Sequence, residues 1–150
     1  MKNILEEIAA RTRERIAKEK SCISVSELEN RIQEVNKNAR QKITFLQALQ
    51  KDGMSYICEV KKASPSKGLI ASDFPYLDIA KEYEAAGASA ISCLTEPFRF
   101  LGKDTYLQEI AAQVEIPVLR KDFITCRADL KQTCACGAAA VLLICACMDR

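Results

Sequence analysis

The chain has 150 residues, 49% of them hydrophobic and 28% charged, with a formal net charge of +2. That is the composition of one ordinary globular domain, and so small a charge gives no reason to expect nucleic acid or a membrane surface as a partner. No apolar run approaches the roughly 20 residues of a membrane span. The N-terminus carries Glu6, Glu7, Glu14 and Glu19, which fits neither a signal peptide nor a transit peptide, so a cytoplasmic protein is expected.

Residues 3–20 show helical spacing, with Ile4, Ile8, Ala9 and Ile16 on one face. Ser24-Val25-Ser26 can cap a second helix reaching about residue 38, with Glu27 and Glu29 near its positive end. Residues 44–51 predict a short helix closed by Asp52-Gly53. From there strands and helices alternate. Strands are expected at 55–60, 89–94, 117–121 and 139–144, and helices at 73–86, 104–114 and 127–136. Gly87 and Gly137 stand where a helix would stop. The run Ala86-Gly87-Ala88-Ser89-Ala90-Ile91 is echoed by Cys136-Gly137-Ala138-Ala139-Ala140-Val141, so the repeating unit is one strand plus one helix. Continuous apolar strands such as Val141-Leu142-Leu143-Ile144 fit a parallel sheet covered by helices. A doubly wound sheet and a β/α barrel both satisfy this pattern.

The polar residues favour the barrel. They stand at the ends of the expected strands: Glu59 and Lys61, Thr95 and Glu96, Lys121 and Asp122. A barrel gathers its catalytic groups from the C-terminal ends of several strands. No Gly-x-Gly-x-x-Gly or Walker loop follows the first strand, which weakens a nucleotide-binding alternative. Glu59 and Lys61 are two residues apart on one strand, so both point to the same face. An acid and a base in an apolar strand are costly unless they pair or do chemistry. The loop after them, Ser64-Pro65-Ser66-Lys67-Gly68, could meet an anion. Of the eight cysteines, five lie between positions 126 and 147. Without a secreted context disulfides are not expected. The Cys-x-Cys spacing of Cys134/Cys136 and Cys145/Cys147 is not that of a zinc knuckle, so no metal site is assigned and the thiols are read as small apolar residues.

Three motifs resemble those of the indole-3-glycerol phosphate synthase family. They are Glu59-Val60-Lys61-Lys62-Ala63-Ser64-Pro65-Ser66-Lys67-Gly68, Ile91-Ser92-Cys93-Leu94-Thr95-Glu96-Pro97 followed by Phe100 and Gly102, and Ile116-Pro117-Val118-Leu119-Arg120-Lys121-Asp122-Phe123. Residues 137–144 are similar to the fourth strand of that family. The resemblance implies a (β/α)8 barrel, with 1–45 as a helical N-terminal extension and 46–150 as the first half of the barrel. It implies ring closure and decarboxylation of the phosphorylated substrate 1-(2-carboxyphenylamino)-1-deoxyribulose 5-phosphate. The products are indole-3-glycerol phosphate, carbon dioxide and water, with no metal or organic cofactor. Carried over by motif, Lys121 is the general acid, Lys61 contacts anionic substrate groups, and Glu59 pairs with and positions the lysines. Ser64 assists substrate binding, and Phe100, Phe123 and Leu142 line the aromatic pocket. Asp122 is expected to be structural, capping the following loop, and Phe98 and Arg99 receive no role.

A full barrel of this kind needs about 250 residues. The fifth-strand glutamate, the sixth-strand asparagine, the seventh-strand glutamate and serine, and most of the phosphate cradle have no counterpart in these 150 residues. Four strands also leave two open sheet edges. The expectation is a chain that is inactive and unstable alone, or that associates with a complementary C-terminal half or with itself.

Overall fold

Three helices precede the first strand: α1 (Ile4–Cys22), α2 (Val25–Asn38) and α3 (Phe45–Leu49). The structure is a computed structural model that describes residues 4–38 and 43–147. The expected start of the first helix at residue 3 lies outside the described residues. Ser24 Oγ accepts from Glu27 N at 3.1 Å at the head of α2. Thr44 and Gln47 satisfy each other's backbone N–H groups at the head of α3, a capping box that fixes where this short helix begins.

The alternating part follows. It comprises β1 (Ile57–Val60), β2 (Ala63–Ser64), β3 (Gly68–Leu69), α4 (Tyr76–Ala85), β4 (Ala90–Leu94), α5 (Asp104–Gln113), β5 (Val118–Lys121), α6 (Arg127–Ala135) and β6 (Ala140–Val141). A 3-10 turn at Cys145–Cys147 comes last. The sheet order is β1-β4-β5-β6, parallel throughout. A doubly wound sheet reverses its strand order at a switch point. Here the four strands keep their order along the chain, as successive strands of a barrel do.

Period two divides each strand between two environments. Val60, Ile91, Cys93 and Val118 face α4 and α5, where they pack with Ala80, Leu107, Ile110 and Val114. The residues one position along each strand line the opposite face. α4 and α6 both end on a glycine with positive φ, Gly87 at 90° and Gly137 at 78°. In each, the glycine N–H and the next N–H reach back to orphan carbonyls: Gly87 to Glu84 and Ala88 to Tyr83, Gly137 to Cys134 and Ala138 to Thr133. This is the Schellman arrangement. It explains the sequence echo, because each turn delivers small residues directly into the next strand.

Besides shifts of one or two residues at element ends, three differences from expectation stand out. Helix α4 starts at Tyr76 rather than 73, because Pro75 disfavours a helical residue 74 before it. The loop after β1 contains an unforeseen antiparallel hairpin, β2 with β3. The fourth strand of the parallel sheet is two residues long instead of six, and Leu142 and Leu143 are 36% and 46% exposed. Among the described residues β6 has β5 as its only neighbour in the sheet, so the apolar run beyond Val141 has there one strand to pair with and no strand on its outer side. β1 is the other edge. Among the described residues no helix is long and apolar enough to cross a membrane.

A second apolar cluster joins α1 to the strand ends. Ile8 and Ala9 pack with Phe123 and Cys147, and Leu5, Phe100 and Ile144 flank them.

Candidate active site

Lys121 is the last residue of β5 and pairs in register with Leu94 at the end of β4. Val60 pairs with Cys93, so Lys61, one residue on, stands in the row of Leu94 and Lys121. Lys61 and Lys121 are thus two strand spacings apart, about 10 Å between backbones. Glu59 lies two residues below Lys61, in the row of Ser92, and so shares their face. The Lys61 ammonium donates to Glu59 Oε1, with both side chains about 30% exposed. Ser64 is buried in the hairpin, and its Oγ accepts from Lys67 N at 3.2 Å, so its present task is to shape the loop. Phe123 is 7% exposed and Phe100 half-buried, both beneath α1. Leu142 stands apart from them on the open edge.

Two further acids of the motifs, Glu96 and Asp122, build the frame around these residues. Glu96 is 2% exposed. Its carboxylate accepts from three successive backbone N–H groups, those of Phe98 at 2.8 Å, Arg99 at 2.6 Å and Phe100 at 3.0 Å. The loop carrying Phe100 is therefore folded around a buried anion. Gly102 closes the same loop against β4, where an added Cβ would lie 2.4 Å from the Leu94 carbonyl oxygen. Phe98, unassigned from sequence, has the guanidinium groups of Arg11 and Arg99 against its ring, 3.7 and 4.6 Å from the centroid.

Asp122 is the second frame acid, with a fully buried side chain. Its Oδ1 accepts from Phe123 N at 2.8 Å, the loop cap anticipated from sequence. Its Oδ2 accepts from Thr95 Oγ1 at 2.9 Å, Arg15 at 3.0 Å and Arg120 at 3.1 Å. Arg120 is 2% exposed on the helix-facing side, and also donates to Asp104 at 2.8 Å and to Thr95 at 3.0 Å. Burial opposes the charge on Arg15, yet the adjacent Asp122 holds its pKa above the ordinary value. The network ties α1, β4, β5 and α5 together immediately beside Lys121.

Two clefts include neither Lys61 nor Lys121 in their lining. One, between α1 and the β4–α5 loop, is lined by Arg11, Arg15, Glu96 and Phe98. The other, between α1, α2 and α6, is lined by Ile16, Ile23, Leu28 and Gln132. Burial pushes the thiols of Cys93 and Cys136 up to about 12. Among the described residues no group of three or more His, Cys, Asp or Glu side chains could hold a metal ion.

The family model for indole-3-glycerol phosphate synthase matches residues 5–150. The chain belongs to the indole-3-glycerol phosphate synthase family. Curated relatives of that name include one from Ruminiclostridium cellulolyticum, 49% identical over 147 residues, and one from Endomicrobium trichonymphae, 52% identical over 143. These matches cover 97% and 95% of this chain and 55% of each relative. A third, from Sulfurimonas denitrificans, is 42% identical over 147 residues, covering 98% of this chain and 56% of the relative. The chain spans about half the length of the curated relatives it matches. The indole-3-glycerol phosphate synthase fold is a TIM barrel, and the open parallel sheet of four strands is a partial one.

Proposed function

We propose that the chain supplies the first-half residues of an indole-3-glycerol phosphate synthase site. The substrate is 1-(2-carboxyphenylamino)-1-deoxyribulose 5-phosphate, and the reaction is ring closure with loss of carbon dioxide and water. The observation that carries this reading is the placement of Glu59, Lys61 and Lys121 on one face of the parallel sheet, at the C-terminal ends of β1 and β5 with β4 between them. A barrel places its chemistry there.

Ring closure onto a carbonyl needs a proton donor at the developing oxyanion, and loss of the hydroxyl as water needs a second proton. Lys121 is the general acid. Lys61 meets the anionic groups of the substrate, and Glu59 orients it and balances its charge. Ser64 binds substrate from the hairpin. Phe100 and Phe123 present their rings to the aromatic end of the substrate, and Leu142, just past the end of β6, contributes to the same pocket once the barrel is completed. Residues 1–45 act as a helical extension on the barrel half formed by 46–150, in a cytoplasmic protein.

The exposed edges β1 and β6, and the apolar side chains of Ile57, Leu142 and Leu143 beside them, support a further element of the reading. These strands bind a complementary C-terminal half, which contributes the phosphate cradle. The test is to assay the 150-residue chain for indole-3-glycerol phosphate, alone and mixed with the C-terminal segment of a relative. Turnover only in the mixture is the expected result. Turnover by the chain alone would overturn the need for a second half, and none in either would overturn the enzymatic reading.

A further inference from the structure

All five residues of β4 are buried. Ile91 and Cys93 join the core under α4 and α5, so Ala90, Ser92 and Leu94 point to the other face. That is the face of Glu59, Lys61 and Lys121. In register, Ser92 pairs with Glu59 on β1 and with Leu119 on β5. Ser92 is 6% exposed, and its Oγ has no hydrogen-bond partner among the described residues. An unpaired buried hydroxyl is costly and uncommon in folded proteins. Alanine would fill nearly the same space without that cost.

The neighbouring carboxylate gives the hydroxyl a purpose. Glu59 Oε1 is held by Lys61, while Ser92 stands one strand spacing away, about 4.8 Å between backbones. When Lys61 turns to an anionic group, Glu59 loses its donor in a half-buried setting. We propose that Ser92 is a positioning residue whose hydroxyl then donates to the Glu59 carboxylate, keeping it in place while Lys61 holds the substrate. The assignment of Lys61 to the substrate rests on the function proposed above, whereas the exchange of donors on Glu59 does not.

A double-mutant cycle on the chain itself separates the two. Lys61→Met removes the competing ammonium, with Lys61→Leu, which also carries no donor, as the second variant should the first not fold. In the unaltered background Ser92→Ala leaves the urea midpoint unchanged or raises it, since an unpaired hydroxyl is lost. In the Lys61→Met background the same substitution lowers the midpoint, since Ser92 is then the donor to Glu59. An equal shift in both backgrounds would overturn the exchange. In the complex with a complementary half, Ser92→Ala lowers kcat by about tenfold with KM unchanged. It has no further effect on Glu59→Gln. A kcat equal to that of the parent would overturn the positioning role. A parent complex without turnover would refute the proposed function, and the urea cycle would still decide the exchange.

Discussion

Asp122→Ala removes the acceptor on which the extension, β4 and β5 converge. Three donors meet its Oδ2, from Arg15, Thr95 and Arg120, and the Phe123 amide meets its Oδ1. Breaking a buried ion pair by deleting one partner costs about 3–5 kcal/mol, because the other charge stays buried without compensation. Arg120 keeps Asp104 at 2.8 Å, and Arg15 keeps 22% exposure to water, so the lower end applies, about 3 kcal/mol. For a chain of this length that corresponds to a fall in Tm of roughly 6–12 °C. Urea unfolding followed by far-UV circular dichroism reads it, with an unchanged slope showing that the effect is one of stability. Glu7→Gln is the control. Its ion pair with Arg99 at 3.0 Å is exposed on both sides, and its loss costs under about 1 kcal/mol. An Asp122→Ala midpoint equal to that of Glu7→Gln would refute the claim that this network fastens α1 to the strand ends.

Gly102→Ala places a methyl 2.4 Å from the Leu94 carbonyl oxygen and 2.7 Å from Thr95 backbone atoms. Backbone cannot yield as a side-chain tip does, so a loss of about 1–3 kcal/mol is expected. The amide resonances of Phe98, Arg99 and Phe100 should move as the loop leaves Glu96; an unchanged amide spectrum would contradict this. At pH 8 a thiol reagent should label the exposed Cys134 and Cys145 and spare Cys93 and Cys136, whose thiols burial raises to about 12 and so keeps protonated. Peptide mass mapping reads the pattern, and labelling of Cys93 as fast as Cys134 would show that the core under α4 and α5 is open.

Much of the fold was legible because local rules and tertiary structure agree. Gly87 and Gly137 mark helix ends by backbone geometry that glycine adopts freely, and the small residues after them feed strands. Glu59, Lys61 and Lys121 declared themselves as charges at the ends of apolar strands. What escaped depends on partners distant in sequence. Alternation places Arg120 on the helix side, yet only the fold brings Arg15, Asp104 and Asp122 to the same corner. Glu96 read as another polar strand end, and its grip on three amides follows from the path of the loop. The β2–β3 hairpin has two residues per strand, too few for periodicity to register. The apolar run at 139–144 suggested a long buried strand, but an edge with a single neighbour holds only Ala140 and Val141 in place.

The central claim is that Lys121 acts as the general acid of an indole-3-glycerol phosphate synthase site. Its most direct test is kcat/KM for indole-3-glycerol phosphate formation by the chain joined with a complementary half, with and without Lys121→Ala. General-acid catalysis contributes about 10²–10⁴-fold, so a loss of at least 10² is expected. Unfolding should be little altered, because Lys121 is only partly buried. Equal turnover by the parent and the Lys121→Ala complex would contradict the assignment.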